Sequence, residues 1–418
     1  MKNVILVSTL ISGLLFFSVL SIFGIEYQGI NESPSFAIFC IALAALSILV
    51  ILIDFFPLKK FSLNGSTIIF LLLPVFISLF FFAEQTSSEL ALTQFRNYLV
   101  FSLSSTYIGI YVARRRWLAH IAKWFEIVMI IFSVSIMVSL IVPFFNNEEF
   151  SSFAGSSYQT ASYISAFAYS LNLFFLLFGN RYELFKFHYF KIYKILMYIL
   201  LPVQITGVLV STGRGGFVVV FVSTIVFLWL KGKDQKEGIK NVLMIILFLT
   251  LSGLIFLPRL IHNELFLSSS GRVFSYISGS GIDMSQTSGR ERVFSNAIKL
   301  IKDRPFTGYG MFGYYDFIDD YPHNIFLEVL LNGGILYLLF TLLIGFLFFK
   351  KLKLLIKQEP ENLFVLAIFI YPITELMFTG TYISTSLFWF VISYVFCYSV
   401  QINEVNKKNI GVRYNVPH

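Results

Sequence analysis

Residues 35–55 read SFAIFCIALAALSILVILIDF, and this stretch decides the fold. Its only charged residue is Asp54, one from the end. As a helix it is about 30 Å long, the thickness of a bilayer's hydrocarbon core. A helix of a soluble protein keeps a polar face, and this one has none. Runs of the same kind recur at about 4–23, 67–83, 97–113, 122–145, 160–179, 195–212, 216–230, 241–258, 324–349, 362–379 and 382–400. The sequence therefore predicts an all-α, polytopic integral membrane protein with about twelve transmembrane helices. The first run resembles a signal peptide, but no small-residue cleavage site follows, so it is read as a retained helix.

Composition agrees. Of 418 residues, 57% are hydrophobic, 18% aromatic and 13% charged, with mean hydropathy +0.78. A soluble domain carries about twice that share of charge. The net charge of +8 would suit a nucleic-acid binder, but its placement argues otherwise. With both termini inside, 22 of the 31 Lys and Arg fall in inner segments, among them Lys59–Lys60, Arg114–Arg116 and Lys350–Lys357. This is the positive-inside bias, so no nucleic-acid partner is expected and membrane lipids are. Cys40 and Cys397 lie in apolar runs near opposite faces, which excludes a disulfide framework or a Cys-ligated metal.

The inner set holds 17 Lys and 5 Arg, whereas the outer set holds 7 Arg and 2 Lys. Lys anchors topology; Arg offers the planar fork that recognises phosphate or carboxylate. Chance in small numbers is the plain alternative. One outer connection, residues 259–323, is long, and it divides the chain into helices 1–9 (residues 1–258), this loop, and helices 10–12 with a tail (residues 324–418). Ser268 to Ser288 is rich in Ser and Gly. Ser288-Gly289-Arg290-Glu291 then reads as a capping box, with Val293, Phe294, Ala297, Ile298 and Ile301 as one apolar stripe. Arg304-Pro305 ends that short helix, and Gly308, Gly310 and Gly313 mark turns.

Candidate chemistry gathers on the outer side. Ser211-Thr212-Gly213-Arg214-Gly215-Gly216 breaks two apolar runs, and its glycines would let backbone N–H groups approach an anion beside the Arg214 fork. A plain turn with an interfacial Arg is equally compatible. Arg290 in a helix's first turn is electrostatically misplaced unless an anion lies near; the alternative is pairing with Glu291, Asp316, Asp319 or Asp320. Arg292 points elsewhere on that helix. His323, in Tyr321-Pro322-His323-Asn324 at the start of the tenth helix, has the chemistry of a general base, although a lone interfacial His is more often structural. Glu328 and Glu375 are intramembrane carboxylates and so functional candidates, whereas Asp54 and Glu126 are placed where inner water reaches them. No metal-ligand spacing, P-loop or nucleophile elbow occurs.

The segments Ser288-Gly-Arg-Glu-Arg, Arg304-Pro-Phe-Thr-Gly-Tyr-Gly and Pro322-His-Asn-Ile-Phe-Leu-Glu-Val-Leu-Leu-Asn-Gly-Gly334, with Ser-Thr-Gly-Arg-Gly-Gly before the eighth helix, resemble the O-antigen ligase/polymerase superfamily. The ligase pattern runs His, then Asn, Ser or Gln, nine residues, Gly, two residues, Gly; here the last position is Tyr337. The resemblance implies a GT-C-like glycosyltransferase of the bacterial inner membrane. Its substrate would be an undecaprenyl-diphosphate-linked oligosaccharide, handled on the periplasmic side without nucleotide sugar, metal or other cofactor. Arg214, Arg290 and His323 would be catalytic. Arg292, Asn324, Tyr309, Tyr321 and Glu375 would bind substrate, with Tyr314 and Tyr315 either stacking on sugars or packing the loop. The departure at Tyr337 favours a Wzy-type polymerase over an O-antigen ligase or a protein O-oligosaccharyltransferase. A chain-length regulator is the protein partner such a polymerase would take. A lipid-linked oligosaccharide flippase is the reading from another class, and internal repeats expected of one are absent.

Overall fold

A computed structural model describes residues 1–27, 34–55, 64–146, 153–211, 213–232, 243, 250, 258, 291–318 and 320–399. The ninth predicted span apart from residues 243, 250 and 258, the Ser268–Ser288 stretch and Arg290 lie outside these residues.

Every regular element among the described residues is a helix. In chain order they are α1 Lys2–Leu10, α2 Ser12–Ile22, α3 Ser35–Phe55, α4 Gly65–Glu84, α5 Glu89–Asn97, α6 Leu103–Arg115, α7 Leu118–Ile136, α8 Val142–Phe145, α9 Tyr158–Phe178, α10 Lys191–Ser211, α11 Arg214–Gly232, α12 Glu291–Asp303, α13 Ile325–Gln358, α14 Phe364–Phe378 and α15 Ser386–Cys397. Single π-helical stretches, Tyr98–Ser102 and Met137–Ile141, join α5 to α6 and α7 to α8.

Eight described helices are long and apolar enough to cross a membrane, against the twelve read from the sequence. The ninth run lies outside the described residues apart from three positions, and two other differences have local causes. The first run is not one rod: α1 and α2 meet at 96° across Ile11. Near the C-terminus, Gly380 (φ +74) and the segment up to Thr385 stay non-helical, which leaves α15 with 12 residues.

α9 is the bundle's centre. Its Ala161, Ser162, Ser165, Ala166, Ala168 and Ser170 are fully buried, and such small side chains let neighbouring backbones approach. Polar side chains add cross-links: Asn172 Nδ2 donates to Gln204 Oε1 (3.0 Å), and Gln204 Nε2 to Ser133 Oγ (2.8 Å). α3 and α4, by contrast, expose rows of Ile, Leu and Phe as a lipid-facing helix does.

One end of the bundle gathers basic residues. Lys2 and Arg115 flank Asp54 at 2.5 and 3.1 Å, and Arg116 meets Glu359 at 3.3 Å. Glu126 does not reach water as expected. It is fully buried and pairs with buried His188 (Nδ1 to Oε1, 2.7 Å), because the short helix Lys186–Tyr189 folds back over it. Cys40 and Cys397 are both buried free thiols.

Candidate active site

The opposite end of the bundle is built on an interruption in α13. Gly333 (φ −146, ψ 20) and Gly334 (φ 61, ψ −159) leave helical geometry, so a half-helix of residues 325–332 precedes the long rod. The second pair of angles is open almost only to glycine. A Cβ at Gly334 would run into the Phe306 carbonyl group and lie 2.6 Å from the Pro305 oxygen. The break frees carbonyls that a continuous helix would use internally. Leu331 O accepts from Tyr309 N at 2.8 Å, Asn332 O from Gly310 N at 2.9 Å, and Pro305 O from Ile335 N at 2.8 Å. The Asn-Gly-Gly of the sequence is thus a socket for the loop 305–310.

The other face of the half-helix carries a polar stripe at i, i+4 and i+8. Asn324 Nδ2 donates to Met377 O (3.3 Å). Buried Glu328 accepts from Thr381 Oγ1 and from Tyr382 N (3.3 Å). Asn332 Nδ2 donates to Tyr382 OH (2.5 Å). Three polar side chains at helical spacing therefore staple the half-helix to residues 377–382. Asn324 also caps it: Oδ1 accepts from Phe326 N and Leu327 N at 3.0 and 3.2 Å. Both ends of the Asn324 amide are consequently engaged by protein.

Two carboxylates clamp the rest of the loop to the α4–α5 turn. Glu84, the last residue of α4, accepts from Met311 N (2.7 Å) and Phe312 N (2.6 Å). Asp316 accepts from Thr86 Oγ1 (2.6 Å) and from Ser87 N and Ser88 N (both 3.1 Å). Beneath them, Tyr314 and Tyr315 are buried in a second apolar cluster with Phe95, Phe312 and Val329. Burial first, then the neighbouring Tyr315 for Tyr314 and Glu328 for Tyr315, push their hydroxyls well above the ordinary tyrosine range. They pack the loop and offer no ring to a ligand. α12 ends at Asp303 as the sequence predicts, but its apolar stripe is shifted. Ala297, Leu300 and Ile301 join the cluster while Ile298 is exposed, because the core lies on the 297/300/301 face.

The predicted site residues fall as follows. Arg214 opens α11 and is half-buried. The glycines around it serve close packing on α9, not an open anion cradle. Ser162 Oγ donates to Gly213 O (2.8 Å), and Cβ atoms at Gly215 and Gly216 would strike Tyr163 and Ser162. Tyr163 meets Tyr371 edge-on at 5.8 Å, and Glu375 follows Tyr371 one helical turn on. Glu375 and Tyr371 line a cavity of about 290 Å³ at the α1–α2 elbow, shared with Ser12, Thr160, Thr381 and Thr385. His323 precedes the Asn324 cap and so lies one residue from the bond to Met377. α14 thus carries Glu375, packs through Tyr371 on the Tyr163 that lies against Gly215, and accepts the Asn324 bond beside His323.

Tyr309 is committed to the loop. Its hydroxyl donates to Asp303 Oδ2 (2.7 Å) and its ring lies under the Arg304 guanidinium, 4.5 Å away. Desolvation, then the Asp303 bond, raises its pKa. Tyr321 packs its ring on His323 at 4.4 Å between centroids. Arg292 is exposed on the first turn of α12. Sequence pattern gives no signal for Glu84 or Tyr371, and singles out Asp316 only as an alternative partner of Arg290. An acidic residue that closes an apolar run, as Glu84 does, looks like any interfacial anchor. The 324/328/332 stripe was legible as three polar residues at helical spacing in an apolar run. Among the described residues no three His, Cys, Asp or Glu side chains gather as a metal site.

These features define a class: an all-helical, multi-pass membrane protein whose polar site is built from a broken helix, a clamped loop and the ends of two neighbouring helices. Residues 197–342 match the model of the family described as O-antigen ligase (Wzy_C). The match supports the O-antigen ligase/polymerase superfamily, whose members are glycosyltransferase-like enzymes of the bacterial inner membrane that act on lipid-linked glycans. No curated protein and no solved structure matches the chain.

Proposed function

We propose that the protein is a Wzy-type polymerase. It transfers a growing undecaprenyl-diphosphate-linked glycan en bloc onto a new lipid-linked repeat unit. The observation that carries this reading is the family match over residues 197–342, a span that contains Arg214, Arg290, Arg292, His323 and Gly334. The basic end faces the cytoplasm with both termini, and the site faces the periplasm, as the Lys and Arg distribution suggests.

In this reading Arg214 and Arg290 hold the diphosphate and stabilise charge as the glycosidic C–O bond breaks. The electron pair leaves with the diphosphate oxygen, so no nucleotide sugar, metal or other cofactor is required. His323 accepts the proton of the attacking sugar hydroxyl. Attack opposite the leaving group inverts the anomeric centre. Glu375, beside the cavity, accepts hydrogen bonds from sugar hydroxyls, and Tyr321, Tyr309, Arg292 and Asn324 complete the substrate-binding set. Of these, Tyr309 and Asn324 act chiefly by shaping the site, given their bonds to Asp303 and Met377. A chain-length regulator is the expected protein partner.

The family's description as O-antigen ligase favours one other reading, an enzyme that passes the glycan to lipid A-core. Donor and leaving group are shared, so only the acceptor differs. Tyr337, where the ligase pattern has Gly, favours the polymerase. Deletion of the gene separates them on a gel of surface and carrier-linked glycans. A polymerase mutant leaves single repeat units on the final acceptor. A ligase mutant strands long chains on the lipid carrier. An unchanged ladder would refute both, and purified protein that flips labelled lipid in liposomes without altering its glycan would make it a flippase.

A further inference from the structure

We infer that His323 works through Nδ1, and that Asp320 is the positioning residue that fixes its tautomer; the inference rests on the reading of His323 as proton acceptor. His323 has φ +51, in the left-handed region. That conformation is strained for an L-residue. The chain adopts it between Pro322 and the Asn324 cap, where it must turn sharply into the half-helix. The turn holds the imidazole between two neighbours. The Tyr321 ring lies against it at 60°, and Asp320 Oδ2 is 3.2 Å from Nε2. Asp320 is itself oriented, since its Oδ1 accepts from Tyr321 N at 2.8 Å.

The bond to Asp320 decides the tautomer. A carboxylate only accepts, so the proton of a neutral imidazole must sit on Nε2. Turning the ring by half a revolution would place carbon against the carboxylate and lose the bond. The lone pair is then on Nδ1, which is covered and has no hydrogen-bond partner. A buried acceptor left unsatisfied is costly and calls for a reason. An acceptor sugar hydroxyl supplies it once substrate binding displaces the groups that cover Nδ1. Its O–H donates to Nδ1 on binding and passes the proton there as its oxygen bonds the anomeric carbon, while the donor's C–O bond breaks toward the diphosphate. The imidazolium that forms carries protons on both nitrogens, and Asp320 stabilises the new cation. If Nε2 were the base, the same step would first have to break the Asp320 bond.

The test is solid-state NMR of the full chain, labelled with [15N]histidine, in proteoliposomes. Loss of a signal in His323→Gln assigns it among the five histidines. The expected neutral form is Nε2-protonated in the wild type and in Asp320→Glu, with mixed tautomers in Asp320→Asn. Polymer made in cells by each variant gives the second readout. Asp320→Asn is expected to lose at least tenfold and Asp320→Glu to recover part of it, with thermal stability unchanged because Asp320 is 46% exposed. An Nδ1-protonated wild type overturns the inference, as does Asp320→Asn with the wild-type tautomer or wild-type output. Full activity in His323→Ala would instead overturn the functional reading, whatever the tautomer.

Discussion

Two glycines of α13 should respond in opposite directions to the same substitution. Gly334→Ala places a methyl group against the Pro305–Phe306 backbone, at angles nearly closed to other residues. The backbone strain alone is worth about 1–3 kcal/mol. Backbone atoms cannot rotate away as a side chain can, so relief requires the 305–310 loop to lift from its socket. That would forfeit up to three hydrogen bonds, from Tyr309 N, Gly310 N and Ile335 N. At about 1 kcal/mol each, they bring the expected destabilisation to about 2–5 kcal/mol. Gly345, eleven residues on, has nothing within 4 Å of a Cβ. Gly345→Ala should therefore stabilise by about 0.5–1 kcal/mol through helix propensity. The assay is thermal unfolding of purified protein in detergent, followed by intrinsic tryptophan fluorescence. A Gly334→Ala protein that melts with the wild type would refute the socket, and so would equal damage from Gly345→Ala.

Other outcomes follow from the same geometry. Glu84→Ala should cost about 3 kcal/mol, since two backbone N–H groups lose a charged acceptor, and Glu84→Gln about half of that; thermal unfolding reads both. Arg214→Lys and Arg290→Lys should each lose most polymer on a glycan gel while membrane insertion, read by immunoblot, is normal, because a point charge cannot replace a fork. Full activity in both the Lys and Ala variants would remove that arginine from the site. Chelators should leave polymerisation by purified protein intact; loss on chelation with recovery on magnesium would contradict the metal-independent step.

The division between what was legible in the sequence and what was not follows a physical line. Burial in lipid is a property of composition, so runs such as 35–55 and 67–83 declare themselves within a residue or two. Helix breaks do not. Ile11 looks like any apolar residue of a span, and only the packing around the α1–α2 elbow turns the chain there by 96°. Gly333-Gly334 did carry a signal, but the same pair also reads as a turn, and the carbonyls it frees are invisible until the loop that fills them is placed. The glycines around Arg214 show the reverse error. A Gly-rich stretch beside an arginine suits an anion cradle on paper, yet each glycine is accounted for by contact with Ser162 or Tyr163 of α9.

The half-helix explains why the motif residues stand where they do. A base that must meet a membrane-anchored substrate needs a fixed position at the bilayer surface, and a loop alone offers a poor one. Here the turn that holds His323 leads directly into eight helical residues stapled on one side to 377–382 and on the other to 305–310. The first segment approaches the cavity beside Glu375, and the second is clamped through Glu84 to α4. A displacement of α14 or of the loop would therefore be carried to His323 through backbone and short polar side chains. Damage at Gly334 or Glu328 is accordingly expected to act on the same step as damage at His323, although neither residue touches the imidazole. That makes the pairs separable. Gly334→Ala combined with His323→Ala should lose no more activity than His323→Ala alone, whereas the losses in stability should simply add.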